Sequence, residues 1–410
     1  MAKKFYELNP KERLDQLALP TELTNRFLAQ QDTKRQNLIE NYLTDFALPE
    51  GIIKNLVLDE QLYQVPLVVE EPSVVAAANN GARMFALGGG FRSVGTGRAL
   101  LTGQILFDQV DVADVQAFVN DHRQEIEAAA QAAKPSLYQR GGGLQDLVLR
   151  ELPGRRASLD LVVDTDQAMG ANAVNTILEA VKALFMPYQE QILGAILSNA
   201  GDHSLVSVSG RVPVMAVGGW AMAKRIVALS EFAKVDPKRA VTENKGVFNG
   251  LSAAVLALGN DWRAVEAAGH AYASRDGQYR SLTQWRLEDD QEFLVGELTL
   301  PLNIGTVGGA LASLQTAQDN FAILGQPDAD RTKKILLAVG LSSNLAALKA
   351  VAGAGIQAGH MKMQARTLAV QVGAKAEEVA ALAAVLAQTT INETTAKRLL
   401  GEMRQNGSKD

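Results

Sequence analysis

The chain has 410 residues, of which 47% are hydrophobic and 21% charged, with a formal net charge of -5. That length supports a large core and more than one domain, and the mild acidity argues against nucleic acid as the main partner, though it permits a local basic pocket. There is no cysteine, which excludes disulfides, zinc–thiolate centres and acyl transfer through a cysteine nucleophile.

The charged start lacks the apolar stretch of a secretory signal. No apolar run reaches the roughly 18 residues of a membrane span, so a soluble, cytoplasmic protein is expected. Residues 1–60 read as helical and charged, with Asn9-Pro10 as a helix start. Residues 62–69 alternate as a strand. A helix then opens at Glu71-Pro72 and runs to about residue 84, before Gly88-Gly89-Gly90. Residues 100–110 read as a strand and 112–133 as an amphipathic helix. Two more strands follow at 144–150 and 157–163, a helix at 171–186, and a strand or short helix at 191–198.

This alternation suggests a small α+β domain inserted in a larger one. The expected class is α/β with α+β organisation. Residues 1–100 plus 201–354 form a large mixed domain, 101–200 a small non-Rossmann, ferredoxin-like domain, and 355–410 a helical flap. After residue 211 the chain returns to Gly-, Ala- and Val-rich helices. A strand covers 292–302 and a helix 332–352. Gly353, Gly355 and Gly359 then form a flexible joint before His360.

Several residues carry candidate chemistry. Arg239, Lys245 and Asn249 lie close together in sequence, ahead of the apolar helical run 251–258. Such a segment can aim a cation and neutral donors at an oxyanion near a helix start. Glu71 sits at a helix mouth, where the helix dipole favours its carboxylate form. A general acid there needs burial or a second carboxylate to oppose the dipole. Asp261 follows Gly259-Asn260 and serves as the N-cap of the next helix, a role compatible with catalysis. His360, on its glycine-jointed segment, can swing into a site or simply cap a helix. The four histidines (122, 203, 270 and 360) show no metal-ligand spacing, so no metal is expected.

Lys245 and Asp261 bracket a helix of about twelve residues, roughly 18 Å at 1.5 Å per residue. Within one chain and with a straight helix the two cannot touch. Either the chain folds back or the site draws on a second subunit. No GxxxxGK[ST] loop is present, and the glycine clusters do not form a GxGxxG entering a helix. The better nucleotide candidate is the turn 164–176, where a strand enters a glycine turn and then a helix whose N–H groups can hold a pyrophosphate.

Five segments in order resemble the class II, bacterial soluble form of 3-hydroxy-3-methylglutaryl-coenzyme A (HMG-CoA) reductase. They are Val68-Val69-Glu70-Glu71-Pro72-Ser73, Gln167-Ala168-Met169-Gly170-Ala171-Asn172, Arg239-Ala240-Val241-Thr242-Glu243-Asn244-Lys245-Gly246, Gly259-Asn260-Asp261 and Gly355-Ile356-Gln357-Ala358-Gly359-His360. The resemblance implies a dimeric enzyme with its site at the subunit boundary. It reduces an acyl-CoA thioester to an alcohol with two hydride equivalents from a nicotinamide cofactor, yielding mevalonate and CoA. It implies a catalytic set of Glu71, Lys245, Asp261 and His360, and substrate contacts from Ser73, Arg239 and Asn249. For the cofactor it implies Asp166, Met169, Gly170 and Asn172. Similar sequences often carry Asp at position 167; here it is Gln167, which passes the acidic contact to Asp166 or Asp164. Where NADH-preferring relatives carry an acidic residue this chain has Lys134, which suits a 2′-phosphate and favours NADPH, with NADH as the alternative. Two other readings stay open: another acyl-CoA reductase, or a non-catalytic helical scaffold.

Overall fold

The computed structural model describes the backbone of residues 3–95, 99–289, 292–353 and 356–406, and their side chains except 310, 312, 356–363 and 406. Two short helices open the chain, α1 (Pro10–Gln16) and α2 (Thr21–Ala29). The hairpin β1 (Glu50–Leu58) and β2 (Gln61–Val68) follows, then α3 (Pro72–Ala86) and β3 (Phe91–Val94). Next come β4 (Leu100–Phe107), α4 (Val112–Asp121), α5 (Arg123–Ala133) and α6 (Pro135–Gln139). The chain continues with β5 (Gly143–Leu152), β6 (Arg156–Asp164), α7 (Ala171–Lys182) and β7 (Ile192–Ser198). Then follow β8 (Leu205–Pro213), α8 (Val214–Val217), α9 (Trp220–Val235), α10 (Pro237–Ala257) and α11 (Trp262–Ala273). The strands β9 (Thr283–Leu287) and β10 (Phe293–Pro301) precede α12 (Gln315–Leu324) and α13 (Ala329–Ala352). Last come α14 (Ile356–Gln371), α15 (Ala376–Leu386) and α16 (Glu393–Asn406).

The strands form two sheets, ordered β2-β1-β3-β8-β10-β9 and β5-β6-β4-β7. In the second, every pair is antiparallel. Its chain order of strand, helices, two strands, helix and strand, with the first strand between the third and the fourth, is the ferredoxin-like arrangement. The alternating burial of β4, with Leu101, Ile105 and Phe107 turned inward, buries one face. Ile177, Leu178 and Val181 of α7 pack in the same cluster.

The six-stranded sheet holds the larger core. Phe85 and Phe91 stack there with ring centroids 4.2 Å apart, and Trp285 lies 6.0 Å from Phe85. All three are buried, and burial of such side chains stabilises by about 1.5–3 kcal/mol each. A third, smaller cluster joins Ala365, Leu382, Leu386 and Leu400 of the last three helices.

Several expectations need correction. The span 1–60 is helical only over α1 and α2. Its end is β1, because Ile53, Leu56 and Leu58 bury against the sheet while Glu50 to Leu58 pair with β2. The helix expected over 112–133 breaks at His122, whose φ of -107° and ψ of 17° end α4 and start α5. The helix expected to reach residue 186 stops at Lys182. β3, of four residues, is too short to show a period, whereas β8 alternates Val206, Val208 and Val212 with Ser207, Ser209 and Arg211, and β9 alternates Thr283 and Trp285 with Gln284 and Arg286, without having been expected as strands. Gly359 lies inside α14, not in a joint, while Gly355 lies outside the described residues.

α13 also corrects the reading that no run reaches membrane length. It has 24 residues and a mean hydropathy of 1.8 over its most apolar window. However, 78% of that window is buried inside the protein, so it is a core helix covered by its neighbours.

Candidate active site

Three helices make the walls of a cavity of about 710 Å³, and close packing fixes them. A Cβ on Gly81 of α3 would lie 2.0 Å from the Ser342 carbonyl oxygen of α13, and one on Gly250 of α10 would lie 2.1 Å from Ser343 Oγ. Glycine at both points lets α3 and α10 approach α13 to backbone range. Ala346, Ala347 and Ala350 of α13 leave the space between them open.

Lys245 is not near a helix start. Asp236 caps α10 through the N–H groups of Lys238 and Arg239, and the helix runs 21 residues from Pro237. Lys245 therefore stands in its middle. Lys245 Nζ lies 3.6 Å from Glu71 Oε2. Glu71 occupies the N-cap position of α3, yet its carboxylate makes no capping bond there; Ser73 Oγ donates to its Oε1. Arg239, Thr242, Glu243, Gly246 and Asn249 add the α10 face of the cavity at helical spacing. Arg239 Nη2 donates to Glu243 Oε2 at 2.9 Å, and its Nε–H is buried with no hydrogen-bond partner. Lys349 of α13 also lines the cavity; Nζ donates to the Ala216 carbonyl at 3.0 Å, and burial together with nearby Arg83 holds its pKa below the ordinary lysine value.

The structure thus brings Glu71, Ser73, Arg239, Lys245 and Asn249 to one cavity. Asp261 is not among its lining residues. It caps α11, accepting from Arg263 N at 3.1 Å and Ala264 N at 3.2 Å, with the Arg263 guanidinium 3.3 Å away. Lys245 and Asp261 are separated by the rest of α10, as the helix-length argument requires. His360 belongs to α14, but its side chain lies outside the described residues. Lys245 and Asn249 also line a second cavity of about 470 Å³ on the other side of α10, with Val241, Leu256 and Trp262. The Lys245 side chain is 63% exposed.

The nucleotide turn is built mainly from backbone. β6 ends at Asp164, whose Oδ1 accepts from Asp166 N at 3.0 Å. Gly170 then adopts φ +92° as the N-cap of α7, with no side chain capping that helix. A Cβ there would lie 2.2 Å from Thr165 Cγ2, so both conformation and space call for glycine. Asp166 pairs with Arg140, its Oδ2 3.4 Å from Nε. Lys134 sits at the junction of α5 and α6. Met169 meets the segment after β10, where a Cβ on Gly305 would lie 2.3 Å from Met169 N. Asn172 lies in the first turn of α7, its carbonyl accepting from Thr176 Oγ1 at 2.8 Å.

The residue at the departure from similar sequences has a clear partner. Gln167 Oε1 accepts from Ala329 N, the first residue of α13, at 2.8 Å, and Thr306 N donates to the Gln167 carbonyl at 2.9 Å. Asn260 holds the same segment by donating to and accepting from Gly305. The sequence reading missed Glu243, Lys349 and the 305–307 strip. Only their proximity in space marks them out. The residues present suit a dinucleotide: the uncapped α7 N-terminus offers backbone donors to phosphate, and Gly170 and Gly305 let the turn pack tightly against Thr165 and the strip after β10, which fixes its conformation. Among the described residues no group of three or more acids and histidines could hold a metal.

Comparisons with known proteins identify the family and the fold. The family model described as Hydroxymethylglutaryl-coenzyme A reductase matches residues 9–365. The 3-hydroxy-3-methylglutaryl-coenzyme A reductase of Archaeoglobus fulgidus is 38% identical over 390 residues, covering 92% of this chain and 88% of that one. A structure of the class II 3-hydroxy-3-methylglutaryl-CoA reductase from Streptococcus pneumoniae bound to NADPH, in open conformations, superposes with a TM-score of 0.76 at 38% identity. That match covers 96% of this chain and 99% of the other. A second structure of the Streptococcus pneumoniae enzyme gives a TM-score of 0.77.

Proposed function

The chain belongs to the hydroxymethylglutaryl-coenzyme A reductase family, and we propose that it reduces the thioester of HMG-CoA to mevalonate in the mevalonate pathway, releasing CoA. The observation that carries this reading is the Lys245–Glu71 pair, 3.6 Å apart, at a cavity that also holds Arg239. An ammonium beside a carboxyl group suits a carbonyl that gains negative charge and then a proton.

The roles follow from residue chemistry. Lys245 stabilises the oxyanion that develops on the thioester carbonyl and again on the aldehyde. Glu71, held by the Ser73 hydroxyl, donates the proton. Arg239 offers a guanidinium to the free carboxylate of the acyl chain, and its unmet Nε–H is a donor that such an anion can satisfy. Asn249 adds a neutral donor. His360 protonates the departing CoA thiolate. Bound NADPH supplies hydride, and two equivalents take the thioester to the alcohol. Asp166, Met169, Gly170 and Asn172 would hold it, with Lys134 toward a 2′-phosphate. The NADPH in the Streptococcus pneumoniae structure supports the choice of NADPH over NADH. The domain division into 1–100 plus 201–354, 101–200 and 355–410 follows the three buried clusters. The enzyme is placed in the cytoplasm.

The active form is a homodimer or larger. Lys245 is largely exposed, and Asp261 of the same chain is not among the residues lining its main cavity, so a second copy is taken as the source of that acid. Mixing Lys245→Met with Asp261→Asn chains tests this. Cross-subunit sites predict that random pairing restores about a quarter of wild-type activity, since half the dimers carry one intact site of two. No recovery after verified subunit exchange would place both residues in one chain's site.

The activity itself is tested by adding NADPH and HMG-CoA and following nicotinamide absorbance and mevalonate. Comparing kcat/KM for NADPH and NADH tests the cofactor preference, and a strong NADH preference overturns it. No oxidation across pH and salt would reject the reading.

A further inference from the structure

Glu243 is a carboxylate placed where none is needed for the chemistry. It lies one turn after Arg239 on α10, and its side chain is 0% exposed, against 18% for Arg239. An exposed pair at this spacing stabilises a helix only slightly. Here the acid is enclosed. Thr283 Oγ1 donates to Glu243 Oε1 at 3.1 Å and Ser281 Oγ at 3.4 Å, while Oε2 takes Arg239 Nη2 at 2.9 Å. From α13, the Asn344 amide reaches the Glu243 carbonyl at 3.5 Å, and Asn344 Oδ1 accepts from Trp285 Nε1 at 2.8 Å. The carboxylate is thus held by Ser281 and Thr283 through one oxygen, the Glu243 backbone by Asn344 of α13, and the other carboxylate oxygen holds one nitrogen of a guanidinium that lines the cavity.

We propose that Glu243 is a positioning residue: it fixes the Arg239 guanidinium so that this arginine reads a single carboxylate on the acyl chain. The inference rests on the reading of the cavity as an acyl-CoA site. With Nη2 committed to Glu243, the remaining N–H groups of Arg239 are the ones left for a ligand. The charges agree. The cavity is lined by three cations, Arg239, Lys245 and Lys349, and two carboxylates, Glu71 and Glu243. The lining is therefore net cationic, which suits an anionic acyl chain beside the Arg239 guanidinium. Burial pushes the Glu243 carboxyl above the ordinary carboxylate range, opposed by the Arg239 charge and by the bonds from Thr283, Ser281 and Asn344. Protonation on the acid side therefore weakens the charge-assisted bond and frees the guanidinium.

Steady-state kinetics of Glu243→Gln test the proposal, because the amide keeps the shape and removes the charge. The KM for HMG-CoA is expected to rise about tenfold, with kcat within about twofold and the KM for NADPH unchanged, the pattern of lost ground-state positioning. In the wild type, KM for HMG-CoA rises as pH falls through the raised Glu243 pKa; in the Gln variant it is already high and flat. Glu243→Asp, which restores the charge on a shorter arm, recovers part of the loss. If the Gln variant does not fold, the pair Ser281→Ala and Thr283→Val loosens the acid instead and raises the same KM about threefold. An unchanged HMG-CoA KM in an active enzyme, or equal damage to kcat and both KM values, overturns the inference alone. A wild type inert toward HMG-CoA removes the underlying reading and the inference with it.

Discussion

Along α13 two differently built sites meet one helix. Its C-terminal half lines the cavity with Lys245 and Arg239, where side chains supply the polar groups. Its first N–H binds Gln167 of the nucleotide turn, where backbone conformation supplies most of the features. The difference has a consequence for substitution. A site made of side chains depends on the identity of each one. A site made of backbone depends on its glycines and should tolerate exchange at neighbouring positions such as Gln167, whose side chain bonds the start of α13.

Lys245→Met tests the side-chain half most severely. Loss of the ammonium should lower kcat about 10³-fold while the KM for NADPH stays unchanged. A loss below tenfold would mean that another cation carries the oxyanion, and Lys349 is the first to examine.

Lys333 tests the helix that joins the two regions. It is fully buried, and burial pushes its pKa down to about 8, opposed by Asp330 and Asp164. A lysine with a folded pKa below its unfolded value near 10.4 gives up its proton more easily in the native state. Between about pH 8 and 10 the unfolded chain therefore binds more protons, so stability rises with pH across that window. Below pH 8 the cost of burying the charge is fully present, about 3 kcal/mol. In denaturant titrations the wild type should gain stability from about pH 8 to 10, and Lys333→Met should lack that gain. A Lys333→Met variant with the same pH dependence as the wild type would assign the gain to another group.

Gly170→Ala probes the backbone half. The added methyl meets Thr165 and alanine is strained at φ +92°, so the KM for NADPH should rise about tenfold with HMG-CoA binding intact. Equal weakening of both substrates would erase the distinction between the two sites. The smallest effect is expected from Gln167→Ala. Losing one hydrogen bond to Ala329 N should cost about 1 kcal/mol of stability and leave kcat nearly unchanged. A large fall in kcat would make Gln167 a direct contact of the reaction.

The same contrast decided what the sequence revealed. Glu71, Arg239 and Lys245 stood out by residue type and spacing as candidates, and their roles were supplied by the family resemblance. The ferredoxin-like insert was legible from alternating strands and helices. Glu243 was not, because on the helix it looks like an ordinary i,i+4 partner, and only Ser281, Thr283 and Asn344 converging in space enclose it. β3 is too short to show a period, and the alternation in β8 and β9 is brief beside the Gly-, Ala- and Val-rich helical stretch between them. Lys245 was placed near a helix start because the continuous apolar run begins only at Leu251, whereas α10 starts at Pro237 and Gly250 within it admits Ser343.

The central claim is that this cavity takes a thioester through two successive reductions. Its most direct test is stoichiometry: NADPH oxidised and free CoA thiol released, measured together on a limiting amount of HMG-CoA. The account predicts two NADPH for each CoA, with mevalonate as the product. One NADPH per CoA with an accumulating aldehyde, or CoA release without oxidation, would contradict it.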